Sequence, residues 1–120
     1  MVRFDSCQHF YATVLAPLLI ELKWSDETAA GFGLMGRDHV GFLIERGQQG
    51  ASCHLAFRAD DATQVDAFHH AGIKAGFACN GLPGLRSHYA PNYYAAFLRD
   101  PDGNNIEAMT YLECPDTASE

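Results

Sequence analysis

Near the start of the chain Phe10, Val14, Leu15 and Leu18 recur at three- and four-residue spacing and form one apolar stripe. The spacing predicts a helix over residues 6–19. Asp5 or Ser6 is its expected N-cap, because either side chain can accept from the orphan amides of the first turn, and Pro17 limits its far end. The period then changes to two. Ile20, Leu22 and Trp24 alternate with Glu21, Lys23 and Ser25, as in a half-buried strand, and Trp24 is expected in the core, with the wall of a cavity as the alternative. Residues 29–35 and 40–45 read as two further strands around the turn Gly36-Arg37-Asp38, and residues 47–50 form a polar loop, the best internal boundary.

The second half repeats this order. Residues 52–58 read as a strand. Asp60 or Asp61 caps a helix reaching to about Ala75, with Val65, Phe68 and Ile73 inward and Gly76 as its stop. Residues 77–79 are a short strand and residues 80–92, with Gly81, Pro83, Gly84 and Pro91, a long loop. Residues 93–99 and 105–111 are two more strands, joined by the turn Asp100-Pro101-Asp102-Gly103, where Gly103 permits positive φ. Residues 114–120 read as a frayed tail. Ser6-x-x-x-Phe10-Tyr11 in the first helix matches Gln64-x-x-x-Phe68-His69 in the second, 58 residues on. The element order becomes two equal βαβββ units if one strand is missing before Asp5.

Composition narrows the function classes. A chain of 120 residues, 48% hydrophobic and 19% charged, suits one folded domain. A net charge of −7, with only 8 scattered basic residues, argues against nucleic acid, which needs clustered Lys or Arg. The longest apolar stretch, residues 12–22, is too short for a bilayer and is broken by Thr13, Pro17 and Glu21, so no membrane partner is expected. Met1-Val2-Arg3-Phe4-Asp5 lacks the features of a secretory signal. Cys7, Cys53, Cys79 and Cys114 are widely spaced with no CxxC pair, which reads as free thiols in a reducing, cytoplasmic setting.

Certain motifs go further. His54-Leu55-Ala56-Phe57, Val65-Asp66-Ala67-Phe68, Tyr93-Tyr94-Ala95-Ala96-Phe97 and the run Asp100-Pro101-Asp102-Gly103-Asn104-Asn105-Ile106-Glu107 resemble the second module of a vicinal-oxygen-chelate protein. That superfamily is the glyoxalase, bleomycin-resistance and extradiol-dioxygenase group. Phe10-Tyr11-x-x-Val14-Leu15-Ala16-Pro17-Leu18 resembles the helix of its first module, so the likeness spans nearly the whole chain. It implies an α+β fold of paired βαβββ modules, about 1–47 and 51–113, whose open curled sheets surround a cavity, with the first strand of module one missing or truncated.

The resemblance also implies site residues. In metal-dependent members each module gives one ligand from its first strand and one from its fourth; His54 and Glu107 match these places in module two. Imidazole and carboxylate would suit Zn, Fe, Mn or Ni. Module one departs from the pattern: its matching histidine would lie before Met1, and Phe42 or Leu43 stands opposite Glu107, with Glu45 out of register. From the residues themselves, a carboxylate at Glu107 within an apolar strand needs a partner or a wet cavity. Arg86, Ser87, His88 and Tyr89 lie in the long loop, as substrate contacts or a solvated surface; Arg86 would neutralise an anionic group. One alternating set of Tyr93, Tyr94 and Phe97 faces the cavity. His9, His39, His69 and His70 read as surface histidines.

The expected function is therefore a glyoxalase/bleomycin-resistance/dioxygenase-like protein binding a small organic molecule. Its candidate substrate-binding residues are Arg86, His88, Tyr89, Tyr93 and Phe97, its candidate metal ligands His54 and Glu107, and Glu107 is also the candidate catalytic group. A metal-dependent lyase, isomerase or dioxygenase is one form of that reading. A metal-free drug- or metabolite-sequestering protein, or an inactive relic, is the alternative. An uncovered strand edge in module one makes a homodimer the expected remedy.

Overall fold

Phe4, Cys7, Phe10, Tyr11 and Val14 fall on one side of a helix, and all five are buried. In the computed structural model, which describes residues 3–47 and 54–112, this helix is α1, Phe4–Val14. It begins earlier than the stripe alone suggested. Arg3 precedes it without a side-chain cap, and Asp5 sits inside the first turn, where a carboxylate favours the positive end of the helix dipole. Pro17 cannot donate to a helical ladder, so the expected extension to Leu19 is replaced by a single 3-10 turn, Ala16–Leu18.

The first sheet has the order β1-β2-β3 and is antiparallel, from β1 (Ile20–Ser25), β2 (Ala29–Leu34) and β3 (Phe42–Glu45). The alternation read over residues 20–25 does not carry through. Between Leu22 and Trp24 the pairing slips, a bulge that re-aims the following side chain. Trp24 is thereby 43% exposed instead of packed in the core. It lies over Gly31, where an added Cβ would come within 2.7 Å of the indole Nε1.

The second sheet has the order β4-β7-β6-β5. It is built from β4 (His54–Arg58), β5 (Ala78–Leu85), β6 (Tyr93–Arg99) and β7 (Asn105–Tyr111), with α2 (Ala62–Lys74) between β4 and β5. β4 runs parallel to β7 and the other pairs are antiparallel. This is the βαβββ order expected of the second half. β5 is longer than the strand expected over residues 77–79, and the loop expected over 80–92 shortens to 86–92. β5 is an edge strand, which tolerates Pro83, and its glycines are taken up as slips at Cys79/Gly81 and Gly81/Gly84.

α2 begins on Asp61, whose side chain accepts from the Gln64 amide at 2.9 Å, and stops before Gly76, which takes φ 93°. Gly72 lets it lie close: an added Cβ would meet Leu98 Cδ1 at 2.5 Å and Val14 Cγ1 at 3.3 Å. His69 is not a surface residue as expected but is 7% exposed on the packed side. Both helices cover the inner faces of the sheets, and Phe10, Tyr11, Phe32, Phe68, Leu98 and Ile106 form the centre of the core. Phe42 lies 5.0 Å from the Tyr11 ring and 5.2 Å from Phe57, joining the sheets through β3 and β4.

The first helix and the β6–β7 turn, far apart in sequence, are also joined. Tyr11 Oη donates to Asp100 Oδ2 at 2.6 Å, and the other oxygen of this buried carboxylate accepts from the Asp102 and Asn104 amides at 3.0 and 2.9 Å. The expected turn aspartate at position 100 therefore also anchors α1. Among the described residues no strand precedes α1, and β3 has a strand on one edge only. The boundary loop, the start of the strand read over 52–58, Cys53, Cys114 and the tail fall largely or wholly outside the described residues.

Candidate functional site

Pleating sorts the second sheet into two faces. On β6, Ala96 and Leu98 belong to the helix-covered core, and so do Ile106 and Ala108 on β7. The alternate residues therefore point away from the helices. Register then fixes what shares that outer face: His54 pairs with Asn105 and Ala56 with Glu107 on the parallel side. Phe97 pairs with Glu107, Ala95 with Met109 and Tyr93 with Tyr111 on the antiparallel side. Tyr93, Ala95, Phe97 and Met109 make a second, small apolar cluster there. The sequence left the choice between Tyr93 and Tyr94 open; the strand pairing resolves it in favour of Tyr93. Tyr94 lies against the core and donates to Asp66 Oδ1 at 2.6 Å.

Glu107 is the centre of this face. It is 1% exposed, and both its oxygens are engaged. His54 Nε2 lies 2.7 Å from Oε1, and the Tyr93 hydroxyl donates to Oε2. The anticipated demand for a partner is met. Among the described residues no buried side-chain polar atom lacks a hydrogen-bond partner. Burial first, then the hydrogen bond to Glu107 and its charge, push the Tyr93 phenol well above the usual tyrosine range. Tyr93 is therefore a fixed donor at neutral pH.

The other sequence-derived candidates connect to this pair. The Phe97 ring lies 6.0 Å from His54, and the Arg86 guanidinium sits over Phe97 at 5.3 Å. Arg86 is not simply a solvated loop residue, since its Nη2 donates to the Leu82 carbonyl at 2.6 Å and braces the end of β5. His88 packs on Tyr89 at 4.3 Å, Tyr89 on Tyr93 at 4.9 Å, and Tyr93 on Tyr111 at 5.5 Å. All seven candidates, His54, Arg86, His88, Tyr89, Tyr93, Phe97 and Glu107, are thus linked across one face. Arg58, stacked over Tyr111 at 5.3 Å, and Met109 were not foreseen. The signal was available: Tyr111 and Met109 stand at even spacing from Glu107 on one strand.

On the first sheet the matching outer position is Leu43, because Phe42 faces the core and Leu43 is 48% exposed. Glu45 is exposed on the same face, one pleat farther along. The donor set can be tested against a divalent metal. Among the described residues no group of three or more His, Cys, Asp or Glu side chains could hold one. His54 and Glu107 are closed on each other, and the second carboxylate oxygen is taken by Tyr93. Two mutually satisfied donors do not fit a mononuclear centre, which takes at least three protein ligands.

No protein-family model matches the chain, and no curated protein matches it. Solved structures do. A glyoxalase/bleomycin resistance protein from Albidiferax ferrireducens T118 is 33% identical, with a TM-score of 0.71 over 90% of this chain and 89% of that one. Two more distant structures share the fold. The first, a lactoylglutathione lyase from Agrobacterium tumefaciens, is 20% identical with a TM-score of 0.62, over 91% of this chain and 86% of that one. The second, TioX from Micromonospora sp. ML1, is 13% identical with a TM-score of 0.66, over 95% and 92%.

Proposed function

Because the chain belongs to the glyoxalase/bleomycin resistance family within the vicinal-oxygen-chelate superfamily, we propose that the outer face of its second sheet binds a small organic molecule without a metal held by this chain alone. The observation that carries this reading is the closed His54–Glu107–Tyr93 cluster beside an apolar floor of Phe97, Ala95 and Met109. Such a floor takes up an apolar or aromatic body. The exposed His54 edge, 46% accessible, offers a polar contact that fixes its orientation. Arg86 stands at the rim, where it favours an anionic substituent.

A second copy would complete the pocket. Trp24 and Leu43, with Val40 just before β3, expose apolar side chains on the first sheet, and among the described residues β3 has no strand on its outer edge, the kind of edge that invites pairing. A homodimer that lays the first sheet of one protomer across the second sheet of its partner buries both and turns an open face into a groove.

The test is a thermal-shift series with metal-free bleomycin and a panel of small aromatic and carbonyl compounds, each hit then titrated by calorimetry. A ligand present at 100 times its Kd should add about 2.7 kcal/mol to stability. Phe97→Ala and Tyr93→Phe should weaken binding at least about tenfold; unchanged Kd values in both would remove this face from consideration. No response to any compound would leave the inactive-relic reading standing.

The metal-dependent reading, a lyase, isomerase or dioxygenase with Glu107 as a reacting group, has one observation in its favour. An imidazole and a carboxylate meet on neighbouring strands, at the places where the superfamily's metal-dependent members hold their ion. It requires further ligands from outside the described residues or from a second copy. Stoichiometric Zn, Fe, Mn or Ni surviving dialysis and lost in His54→Ala would select it over metal-free binding.

A further inference from the structure

On the other side of the second sheet, a cysteine and a histidine meet with no part in the site above. Cys79 pairs with Leu98 across β5 and β6, and Leu98 belongs to the helix-covered core, so the thiol is directed towards α2. There His69, 7% exposed, brings Nε2 to 3.1 Å from Cys79 Sγ. The Gly81 amide donates to the same sulfur at 3.3 Å. The sulfur has thus one group able to take its proton and one donor able to stabilise its negative charge, while Cys79 stays exposed at a sheet edge.

We propose that Cys79 and His69 form a reactive thiol–imidazole pair, a site of S-thiolation by small disulfides. Burial holds the His69 imidazole below the usual histidine range, the Asp66 charge pulling it back only in part and His70 adding to the drop. The ring is therefore neutral near pH 7. With its own proton on Nδ1, it can accept from the thiol through Nε2.

The reaction balances without another reagent. As Cys79 Sγ attacks one sulfur of the disulfide, its proton passes to His69 Nε2. The disulfide S–S bond breaks as the new S–S bond forms, and the departing thiolate takes the proton from His69. The products are a mixed disulfide on Cys79 and one free small thiol.

Cys7 supplies an internal contrast. It is fully buried, and burial, with the charges of Asp100 and Asp102 behind it, pushes its thiol up to about 12. That sulfur is both inaccessible and protonated. Two cysteines in one fold are placed at opposite ends of reactivity.

The experiment uses the whole protein and neutral 4,4′-dithiodipyridine at pH 7, with a synthetic peptide of residues 75–86 as the reference thiol lacking His69. Trypsin separates the four cysteines onto the peptides 4–23, 47–58, 75–86 and 100–120, so mass spectrometry reads each rate by itself. Cys79 should react at least about tenfold faster in the folded protein than in the peptide. His69→Gln should erase that excess while the far-ultraviolet circular dichroism is unchanged. A folded rate equal to or below that of the peptide overturns the proposal. So does an undiminished rate in folded His69→Gln. If that variant does not fold, the peptide comparison decides alone. Oxidised glutathione should leave its mixed disulfide on the 75–86 peptide first; first appearance on any other peptide counts against the assignment.

Discussion

The two sheets of this protein follow one plan on their inner faces and diverge on their outer ones. Phe32 and Ile44 of the first sheet, like Leu98 and Ile106 of the second, are buried under the helices. That agreement is enforced: a core position must be apolar and of the right size whichever sheet it comes from. Outward, the second sheet carries Glu107, gripped by His54 and Tyr93, where the first carries Leu43. The second sheet also has β4 beside β7, while the equivalent edge of β3 has no strand among the described residues. The difference teaches that repetition of a fold unit constrains the packed side only. Chemistry can be present in one copy and absent from the other at no cost to the core.

The sharpest way to break the contrast is to truncate both outer positions. Glu107→Ala should cost about 2–4 kcal/mol in urea denaturation, because it leaves a cavity and strips Tyr93 and His54 of their partner. Leu43→Ala, already half in solvent, should stay within about 0.5 kcal/mol. Equal losses would mean that the first outer face is as built as the second.

A glycine pair extends the test. Gly72→Ala should cost about 1–3 kcal/mol, since its Cβ would enter the packed Leu98 side chain. In Gly31→Ala the nearest obstacle is the exposed Trp24 ring, which can swing aside; a loss below about 1 kcal/mol is expected by the same assay. Tyr11→Phe removes a buried hydrogen bond that reaches from α1 to the β6–β7 turn, and about 1 kcal/mol should follow.

The smallest effect is a pH dependence. With the His69 value held below the ordinary 6.5, the unfolded chain binds more protons between the two values. Stability is complete above about 6.5 and declines as the pH falls below it. The wild-type Tm should therefore drop more than that of His69→Gln between pH 7 and 5.5; parallel curves would contradict a buried neutral ring.

Much of this architecture was legible beforehand. Helical spacing placed α1 and α2, and apolar runs bounded by turns placed most strands, although Ile73, expected inward on α2, is 43% exposed. β5 was truncated in that reading because Gly81, Pro83 and Gly84 usually punctuate a chain; only the knowledge that β5 is an edge strand makes them tolerable there. The core reading of Trp24 is overturned by a bulge, a slip of one residue that composition does not announce. His54 and Glu107 came from motif resemblance, and their meeting on one face depends on the parallel β4–β7 register, a long-range fact. The same holds for His69 and Cys79, ten residues apart yet on different elements.

The carboxylate of Asp100 has one more implication. It clasps the first helix through Tyr11 and the last hairpin through the amides of Asp102 and Asn104. Neither end can let go without loosening the other, so the hydrogen-exchange clocks of the two should run at one rate. Stretches separated by 89 positions in sequence would then open as a single cooperative unit, and a protease could not begin on one without freeing the other.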